Sequence, residues 1–305
     1  MSGEAAFPFF PAGASRERPG PIRYVKVFGE RNTGTTFLNK LIELNARGVV
    51  MLTHDDNDEV RAGRMRYSPG VRRVVANRIA DELRRREFPE NFGWKHAVIA
   101  PDYLARSPRF PETLFVCIVR DPYYWAGAIF RQSYNFYIPP PKVRETFLTE
   151  RVFPNMRDNV DRGFLDSPID YWNLKVGSYL ACAGLPNLRI VRYEDVIADP
   201  RGFVAALAGL GLTVRDDVAL VERAAKKKDV ATFEDYVAKA RAFDPHAVFS
   251  RAEIEAINAA LDPGLCATFG YPVADPAAAR GTTVSKAEPG LLDRLRARLG
   301  LSAAG

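Results

Sequence analysis

The chain has 305 residues, and its 43 Lys and Arg residues outnumber 37 Asp and Glu residues to give a formal net charge of +6. With 47% hydrophobic and 26% charged residues, it has the composition of a soluble globular protein and the length to bury a full core, as one large α/β domain. The excess of positive charge suits an anionic small ligand, but it is too diffuse to favour a nucleic-acid partner.

Cysteine usage and hydropathy restrict the class of protein further. Three isolated cysteines, Cys117, Cys182 and Cys266, predict neither a disulfide framework nor a metal site, and they favour a reducing compartment. No stretch reaches the roughly 18 apolar residues that a transmembrane helix requires. Residues 1–20 contain an early acidic residue and several prolines, unlike a secretory signal, and are expected to be irregular. We therefore expect a cytoplasmic protein.

The first predicted elements are a strand, a polar loop and an amphipathic helix, which occupy residues 24–44. The loop, Gly29 to Thr36, has two glycines five residues apart before a Thr-Thr pair at the helix start. Backbone N–H groups, hydroxyls and a helix N-terminus in this order form a cradle for phosphate. The spacing is that of the nucleotide P-loop GxxxxGK[ST] except at Thr35, which replaces the lysine and disfavours a nucleoside triphosphatase. An ordinary strand-to-helix turn is the alternative.

The region that follows is polar, first acidic and then rich in arginine. A short strand predicted at 49–52 leads into an acidic loop that includes Asp55 and Asp56. This loop lacks the glycine and the terminal glutamate spacing of a calcium loop, so we expect a solvated loop and no metal site. Residues 61–86 are arginine-rich, with a helix predicted at 71–86. Such a run is typical of a solvated face, and a basic surface that faces the substrate is the alternative.

A continuous apolar run, Thr113 to Val119, is typical of a central parallel strand that is covered on both faces. Arg120 follows it, and Pro122 with Asp121 as its cap predicts a helix start. Ligands of open α/β sheets bind at the carboxyl ends of the strands, so Arg120 and the Gly29–Thr36 loop are expected to share one rim. A further strand is predicted at 188–192, before Tyr193. Helices are predicted at 168–184, 199–210, 216–225 and 250–261.

Two segments depart from this α/β pattern. Residues 139–167 are predicted to be an insertion, of the kind that often carries substrate contacts. Residues 291–301 form a basic amphipathic pattern, which can make a peripheral contact with an anionic membrane. Docking on the body of the protein, or a frayed end, is the alternative. The predicted division is an irregular segment over 1–20, an α/β domain over 21–275, and a flexible tail with a short amphipathic helix over 276–305.

Four separated motifs occur in the order GERNTGTTFL, FGWKHAVIAP, LFVCIVRDPYYW and LRIVRYEDVIADP. Together they resemble the sulfotransferase family that uses 3′-phosphoadenosine 5′-phosphosulfate (PAPS) as co-substrate. The later stretch SRAEIEAINAALDPGLCATFGYP is similar to the C-terminal helix of bacterial members, so the resemblance spans residues 22–272. It implies an α/β fold of the P-loop type: a mostly parallel central sheet flanked by helices, in a single domain with an inserted substrate segment.

The resemblance implies which residues bind the 5′-phosphosulfate. In this sequence they are Asn32, Thr33, Gly34, Thr35 and Thr36. The family usually has Lys or Arg at the position of Asn32. Arg31 lies one place earlier, and its long, bidentate side chain can reach the same phosphate.

The resemblance also implies contacts to the other end of the nucleotide. Arg120 matches an arginine that binds the 3′-phosphate, and Tyr193 matches a position beside the adenine. The family has a serine eight residues after that arginine, where this sequence has Ala128. Ser133 or Arg131 is expected to substitute for it. Losing one neutral hydrogen bond costs on the order of 1 kcal/mol, which predicts weaker binding rather than none.

Lys95 and His96 resemble the Lys-Thr-His segment of cytosolic members without its middle residue. The resemblance implies that His96 is the general base and that Lys95 touches the transferring group. The chemistry of the transfer also requires a cation beside that group, and either Lys95 or Arg31 is expected to supply it. Such transfer leaves the protein little covalent work, and it requires no metal. The unperturbed pKa of a histidine lies close to neutrality, as a general base requires. Glu30, Asp55 or Asp56 is the alternative base.

These predictions converge on a sulfotransferase that moves a sulfuryl group from PAPS to an acceptor hydroxyl. The acceptor is expected to be a small molecule or a glycan, with its hydroxyl carried by a carbohydrate or glycolipid. The polar and aromatic insertion at 139–167 fits such an acceptor. A nucleotide-dependent kinase with an atypical P-loop is one alternative. A non-catalytic relative that binds 3′-phosphoadenosine 5′-phosphate (PAP) or another anion is the second.

Overall fold

The computed structural model describes residues 7–10, 20–53, 69–132, 141–222 and 232–286. Some residues singled out in the sequence lie outside these ranges, namely Asp55 and Asp56 of the acidic loop, Ser133, and the basic pattern at 291–301. Within the described ranges, none of the helices combines the length and apolar character needed to cross a membrane.

Four parallel strands form the central sheet. They are β1 (Tyr24–Gly29), β3 (Val50–Met51), β4 (Thr113–Val119) and β5 (Leu188–Arg192). Their order across the sheet is β3-β1-β4-β5. Every residue of β4 is buried, as its continuous apolar sequence predicts. A separate antiparallel pair joins β2 (Ala46–Arg47) to β6 (Thr213–Val214).

Helices connect the strands and cover the sheet. In chain order they are α1 (Thr35–Asn45), α2 (Pro69–Arg86), α3 (Phe88–Asn91), α4 (Pro101–Leu104), α5 (Pro122–Arg131), α6 (Arg144–Thr149), α7 (Ile169–Ala181), α8 (Tyr193–Ala198), α9 (Pro200–Gly209), α10 (Phe233–Arg241), α11 (Pro245–Val248), α12 (Arg251–Ala260) and α13 (Pro263–Phe269). Single 3₁₀ turns occur at Phe110–Glu112, Met156–Asp158 and Pro276–Ala278.

Alternate residues of the central strand point to opposite faces of the sheet. On one face, Phe115 and Cys117 lie in a core with side chains of α5, α7 and α12. On the other face, Val116 and Ile118 lie in a core with side chains of α1, α8 and α9. The sheet is therefore a middle layer with helices on both sides. The predicted mixed α/β fold with a parallel central sheet is confirmed.

Two predictions based on local helix signals had different outcomes, and contacts with distant residues account for the difference. Asp121 caps α5 as predicted, because its side chain accepts a hydrogen bond from the backbone N–H of Tyr124 at 2.7 Å. The helix predicted at 216–225 is wrong over its described part, since residues 216–222 are not helical. There the side chain of Asn45 donates to and accepts from the backbone of Ala219, both at 2.8 Å, which holds this segment against the end of α1.

The described part of the predicted tail, residues 276–286, lies against the domain. The backbone N–H of Arg280 donates to the carbonyl of His246 at 2.7 Å. The buried Arg144 pairs with Glu253 at 2.6 Å and also donates to the carbonyl of Thr282 at 3.0 Å. The chain is therefore anchored up to this point by a buried ion pair as well as by backbone hydrogen bonds.

Candidate active site

The carboxyl ends of three parallel strands meet at one edge of the sheet. Gly29 of β1 lies beside Ile118 of β4, and Val119 of β4 lies beside Arg192 of β5. The residues that follow these strands therefore share this edge. The predicted rim is confirmed by a direct contact, because the Nη1 atom of Arg120 donates to the carbonyl of Asn32 at 3.0 Å.

The loop after β1 is a tight turn that depends on two residues with positive φ. These are Asn32, with φ of 64°, and Gly34, with φ of 100°. The carbonyl of Glu30 closes the turn by accepting from both the backbone N–H of Thr33, at 3.1 Å, and its hydroxyl, at 2.6 Å. Gly34 is also needed for space, since a Cβ there would lie 2.6 Å from Cε2 of Tyr193. The tyrosine ring thus packs directly on the loop.

The loop and the first turn of α1 present backbone N–H groups that are open to a ligand. Those of Gly34, Thr35, Thr36 and Phe37 have no acceptor among the described residues. The helix begins at Thr35 without a side-chain cap. N–H groups at this end of a helix favour an anion, both as donors and through the helix dipole. The Nδ2 atom of Asn32 is buried and likewise has no partner in the described ranges.

Arg120 lies between two tyrosine rings beside this loop. The centre of its guanidinium is 3.5 Å from the ring centroid of Tyr124 and 3.9 Å from that of Tyr193. The side chain is held in place by this stacking and by the bond to Asn32, with 7% of the residue exposed. Its Nε atom is buried and has no acceptor in the described part of the chain. The guanidinium is therefore held by contacts within the protein, and its Nε donor is unsatisfied among the residues that the structure describes.

Arg31 does not face this open edge. Its side chain has no exposed surface and pairs with Glu30 Oε1 at 2.7 Å and with both carboxylate oxygens of Asp158 at 3.1 Å. Lys175 pairs with Asp158 at 2.9 Å and lies 3.4 Å from Glu30. The ammonium group of Lys175 also donates to the carbonyl of His96. We refer to Glu30, Arg31, Asp158 and Lys175 as the buried ion network.

The pKa values within the network follow from its charges. Burial alone lowers the pKa of Arg31, but the carboxylates of Asp158 and Glu30 outweigh it and raise the pKa above the usual range. Burial raises the pKa of Asp158, but Arg31 and Lys175 hold it well below an ordinary aspartate. The expectation that Arg31 contacts the transferring phosphate therefore needs correction, because its guanidinium is buried against two carboxylates. Glu30, an alternative base, is likewise engaged by Arg31.

The segment that carries Lys95 and His96 is attached to the edge of β1. The backbone N–H of Gly29 donates to the carbonyl of Lys95 at 3.0 Å. The buried ammonium of Lys26 donates to the carbonyl of Gly93 at 2.8 Å. Because β3 pairs only with the beginning of β1, this segment lies where β3 has ended. The main chain of the sheet therefore fixes it next to the loop.

His96 has the protonation state of a base. Its Nδ1 atom is bonded to the carbonyl of Gly29, which can only accept, so the proton lies on Nδ1. Burial, followed by the positive charges of Lys95 and Arg31, lowers the pKa of His96 well below 6.5. The ring packs edge-on against Trp94 at 4.9 Å. Within the described ranges the Nε2 atom has no hydrogen-bond partner, and it is the unprotonated nitrogen.

The remaining predicted residues differ in their placement. Thr33 and Thr35 are buried, whereas Thr36 is exposed. Lys95 is half-buried and close enough to His96 to affect its pKa. Ser133 lies outside the described residues. Arg131, its alternative, is at the end of α5. Burial lowers the pKa of Arg131, as do the nearby charges of Arg120 and Arg144, so Arg131 lies within electrostatic range of Arg120.

Asp158 and Lys175 are the residues of this region that sequence reasoning missed. Lys175 lies on the buried side of α7, next to the buried residues Trp172 and Val176. A lysine within the apolar stripe of a predicted helix could therefore have indicated a buried, paired charge. Asp158 lies in the segment predicted as an insertion, where neither spacing nor composition distinguished it.

In the portion of the chain covered by the structure, no group of three or more His, Cys, Asp or Glu side chains is placed to hold a metal ion. No protein-family model and no curated protein matches the chain. Inference about function therefore rests on the geometry and chemistry of the residues themselves.

Proposed function

We propose that the protein is a sulfotransferase with a P-loop-type fold, which moves a sulfuryl group from PAPS to an acceptor hydroxyl. The observation that carries this proposal is the set of open N–H groups from Gly34 to Phe37, beside Arg120 at the same edge of the sheet. An anion at the N-terminus of α1 gains these donors without displacing an existing hydrogen bond. Thr35 at the lysine position favours a phosphosulfate over a triphosphate.

The residues around the loop fit a nucleotide that has two anionic ends. In this proposal Asn32, Gly34 and the first turn of α1 hold the 5′ end. Arg120 holds the 3′-phosphate through its remaining donors, with Arg131 nearby. Tyr193 is 4% exposed and its ring packs on Gly34 and Arg120, so it supports these two contacts from within the protein and leaves little surface for the base. When bound, PAPS supplies the activated sulfuryl group.

The proposed base is His96. Its Nε2 atom can accept the proton of an acceptor hydroxyl, because Nδ1 is protonated and donates to the carbonyl of Gly29. Lys95 supplies positive charge near the transferring group. Arg31 does not contact the transferring group in this proposal. It positions the loop through the buried ion network. Sulfuryl transfer of this kind depends mainly on positioning and electrostatic stabilisation.

The acceptor in this proposal is a hydroxyl of a carbohydrate or glycolipid, and the reaction takes place in the cytoplasm. A kinase is disfavoured by the absent P-loop lysine. A non-catalytic relative would bind PAP without turnover. Magnesium-dependent binding of ATP without binding of PAP would favour the kinase.

Calorimetry with PAP and an assay with ³⁵S-labelled PAPS and a panel of acceptors test the proposal. We expect PAP to bind and label to reach at least one acceptor. His96→Ala should retain PAP binding and lose transfer by a factor on the order of 10²–10⁴. His246→Ala is a matched control, because His246 is half-buried on α11 and pairs with Asp244 instead. Absence of PAP binding in the intact chain would overturn the proposal, and PAP binding with a His96→Ala variant as active as wild type would overturn the assigned base.

A further inference from the structure

A cavity of about 440 Å³ lies beside Trp94, between α2 and the 3₁₀ turn Met156–Asp158. Five arginines line it, and they are Arg78, Arg84, Arg85, Arg106 and Arg157. Asp81 and Glu82 share the lining, and Glu87 and Asp102 pair with Arg84 and Arg106 beside it, so five arginines minus four carboxylates leaves a formal excess of one positive charge. A concave site with this charge favours an anionic ligand.

Arg78 differs from the other four arginines. Each of the others pairs with a carboxylate. Arg78 is exposed and donates to the thioether sulfur of Met156, and within the described residues it has no carboxylate partner. Because a thioether is a weak acceptor, most donors of this guanidinium stay available. Their fork geometry suits a carboxylate or a sulfate-like group.

Aromatic rings form another part of the wall. Phe88 and Tyr103 pack together with ring centroids 4.4 Å apart, and Trp94 lies under the guanidinium of Arg157 at 4.6 Å. Flat apolar surfaces next to cations suit a ligand that has an apolar ring face and carries an anionic substituent. A sugar ring with a sulfate ester or a carboxylate has this combination.

Trp94 connects the cavity to the candidate active site. It lines the cavity, and its ring contacts the ring of His96 edge-on at 4.9 Å. The ring of Trp94 therefore lies between this cavity and the proposed base, which does not itself line the cavity. The cavity and the base also share a segment of main chain, residues 93–96, which is fixed to the edge of β1.

We propose that this cavity binds the anionic substituent of the acceptor, which is an anionic saccharide. The inference rests on the proposed sulfotransferase function and assigns its substrate class. It also gives a role to the arginine-rich helix α2, for which a substrate-facing surface was the alternative to a solvated face. Arg78 is the principal contact, and Arg85 contributes to the same wall.

Binding of lactose monosulfate, a disaccharide uronate and unmodified lactose, each measured by calorimetry, tests the cavity. We expect the two anionic sugars to bind and lactose to bind at least tenfold more weakly. Arg78→Ala should weaken binding of the anionic sugars about tenfold, the loss expected for one charge-assisted contact. The ratio between the sulfate and the uronate then distinguishes the two sources of negative charge.

The neighbours Arg85 and Arg86 provide a matched pair. Both lie on α2, both pair with Glu82, and their side chains are 71% and 70% exposed, but only Arg85 lines the cavity. Arg85→Ala should weaken binding severalfold, and Arg86→Ala should change it less than twofold. Equal effects of Arg78→Ala and Arg86→Ala, or equal binding of lactose and its sulfate, would overturn the proposal. Circular dichroism of the variants verifies that the exposed substitutions leave the fold intact.

Calorimetry with PAP on the same samples separates this inference from the proposed function. If PAP binds and the Arg78→Ala variant raises KM for the sulfated acceptor while kcat stays constant, the acceptor role is supported. If PAP does not bind but the anionic sugars bind in an Arg78-dependent manner, the sulfotransferase proposal and the acceptor role fail while the anion site stands. If PAP binds and no anionic sugar does, the cavity proposal alone is overturned.

Discussion

The guanidinium of Arg31 donates to both carboxylate oxygens of Asp158, each at 3.1 Å, although the residues are 127 positions apart in the chain. Neither side chain has exposed surface. The pair connects the loop after β1 to the 3₁₀ turn at Met156–Asp158. The segment predicted as an insertion thereby becomes a structural support of the candidate phosphate loop.

Replacing Asp158 should destabilise the fold strongly. Asp158→Asn keeps the shape of the side chain but leaves Arg31 and Lys175 with Glu30 as their remaining carboxylate in the network. Removing one partner of a buried ion pair typically costs about 3–5 kcal/mol of unfolding free energy. Urea denaturation measures this cost. Asp166→Asn is the control, since Asp166 is exposed and pairs with exposed Arg151, and its unfolding free energy should be essentially unchanged.

The dependence of stability on pH follows from the same carboxylate. Its folded pKa is depressed, despite burial, by Arg31 and Lys175. The contribution of Asp158 is therefore fully present above the unfolded pKa of about 3.9, and it declines as the pH falls below that value toward the folded pKa. The stability difference between wild type and Asp158→Asn should shrink when unfolding is followed from about pH 6 to about pH 2.5. A difference that grows on acidification would contradict this assignment.

The decrease of activity at acid pH should reflect the protonation of His96. Burial and the charges of Lys95 and Arg31 hold the pKa of His96 well below 6.5, so the ring remains unprotonated below that pH. We expect kcat/KM with PAPS and a responsive acceptor to stay at its neutral-pH level through pH 6.5 and to decrease only at lower pH. Steady-state rates across the pH range test this. An acid limb centred at or above pH 6.5 would exclude the buried histidine as the base.

Alanine substitutions at Gly34 and Gly48 distinguish the effect of backbone strain from that of a steric clash. Both have positive φ, 100° and 69°, so an alanine at either position strains the backbone. An added Cβ at Gly34 meets the ring of Tyr193, whereas nothing lies within 4 Å of one at Gly48. Gly34→Ala should therefore weaken PAP binding at least tenfold by moving the loop or the ring, while Gly48→Ala leaves it unchanged. Similar affinities for the two variants would show that the loop adapts.

Arg120→Lys tests whether the stacked guanidinium binds the nucleotide. A lysine loses the planar contact with Tyr124 and Tyr193 and the fork geometry of the donors, so PAP affinity should fall about tenfold. Arg192→Lys is the control. Arg192 also lies at the end of a central strand and packs on an aromatic ring, Tyr271 at 4.9 Å, but its Nη1 atom donates to the carbonyl of Phe269. Equal losses from the two substitutions would attribute the effect to stability.

The parts of the fold that the sequence predicted are those with local signals. The apolar run of β4, the cap formed by Asp121 and the glycine spacing of the first loop each depend on residues within a few positions of one another. Parallel strands also place their carboxyl ends together, so the meeting of Arg120 with the loop followed from strand assignments alone. These elements were recoverable because neighbouring residues determine them.

The parts that the sequence did not predict depend on distant partners. Arg31 lies in the predicted phosphate-binding loop and was expected to reach the phosphate, but its guanidinium is buried in ion pairs with Glu30 and Asp158, and Asp158 also pairs with Lys175. The segment at 216–222 has helical composition, but the side chain of Asn45 satisfies the backbone of Ala219 in a non-helical form. In both cases a contact across more than a hundred residues outweighs local preference.

The balanced charges of the buried ion network constrain how this protein can diverge. Two acids and two bases share one buried site, and the ammonium of Lys175 also holds the carbonyl of His96. Loss of one member leaves a buried charge uncompensated, whereas replacing the whole set by apolar side chains can be nearly neutral. Glu30, Arg31, Asp158 and Lys175 should therefore be inherited as a unit. Descendants that retain one of the four will retain all of them, and lineages that lose one will have substituted the rest.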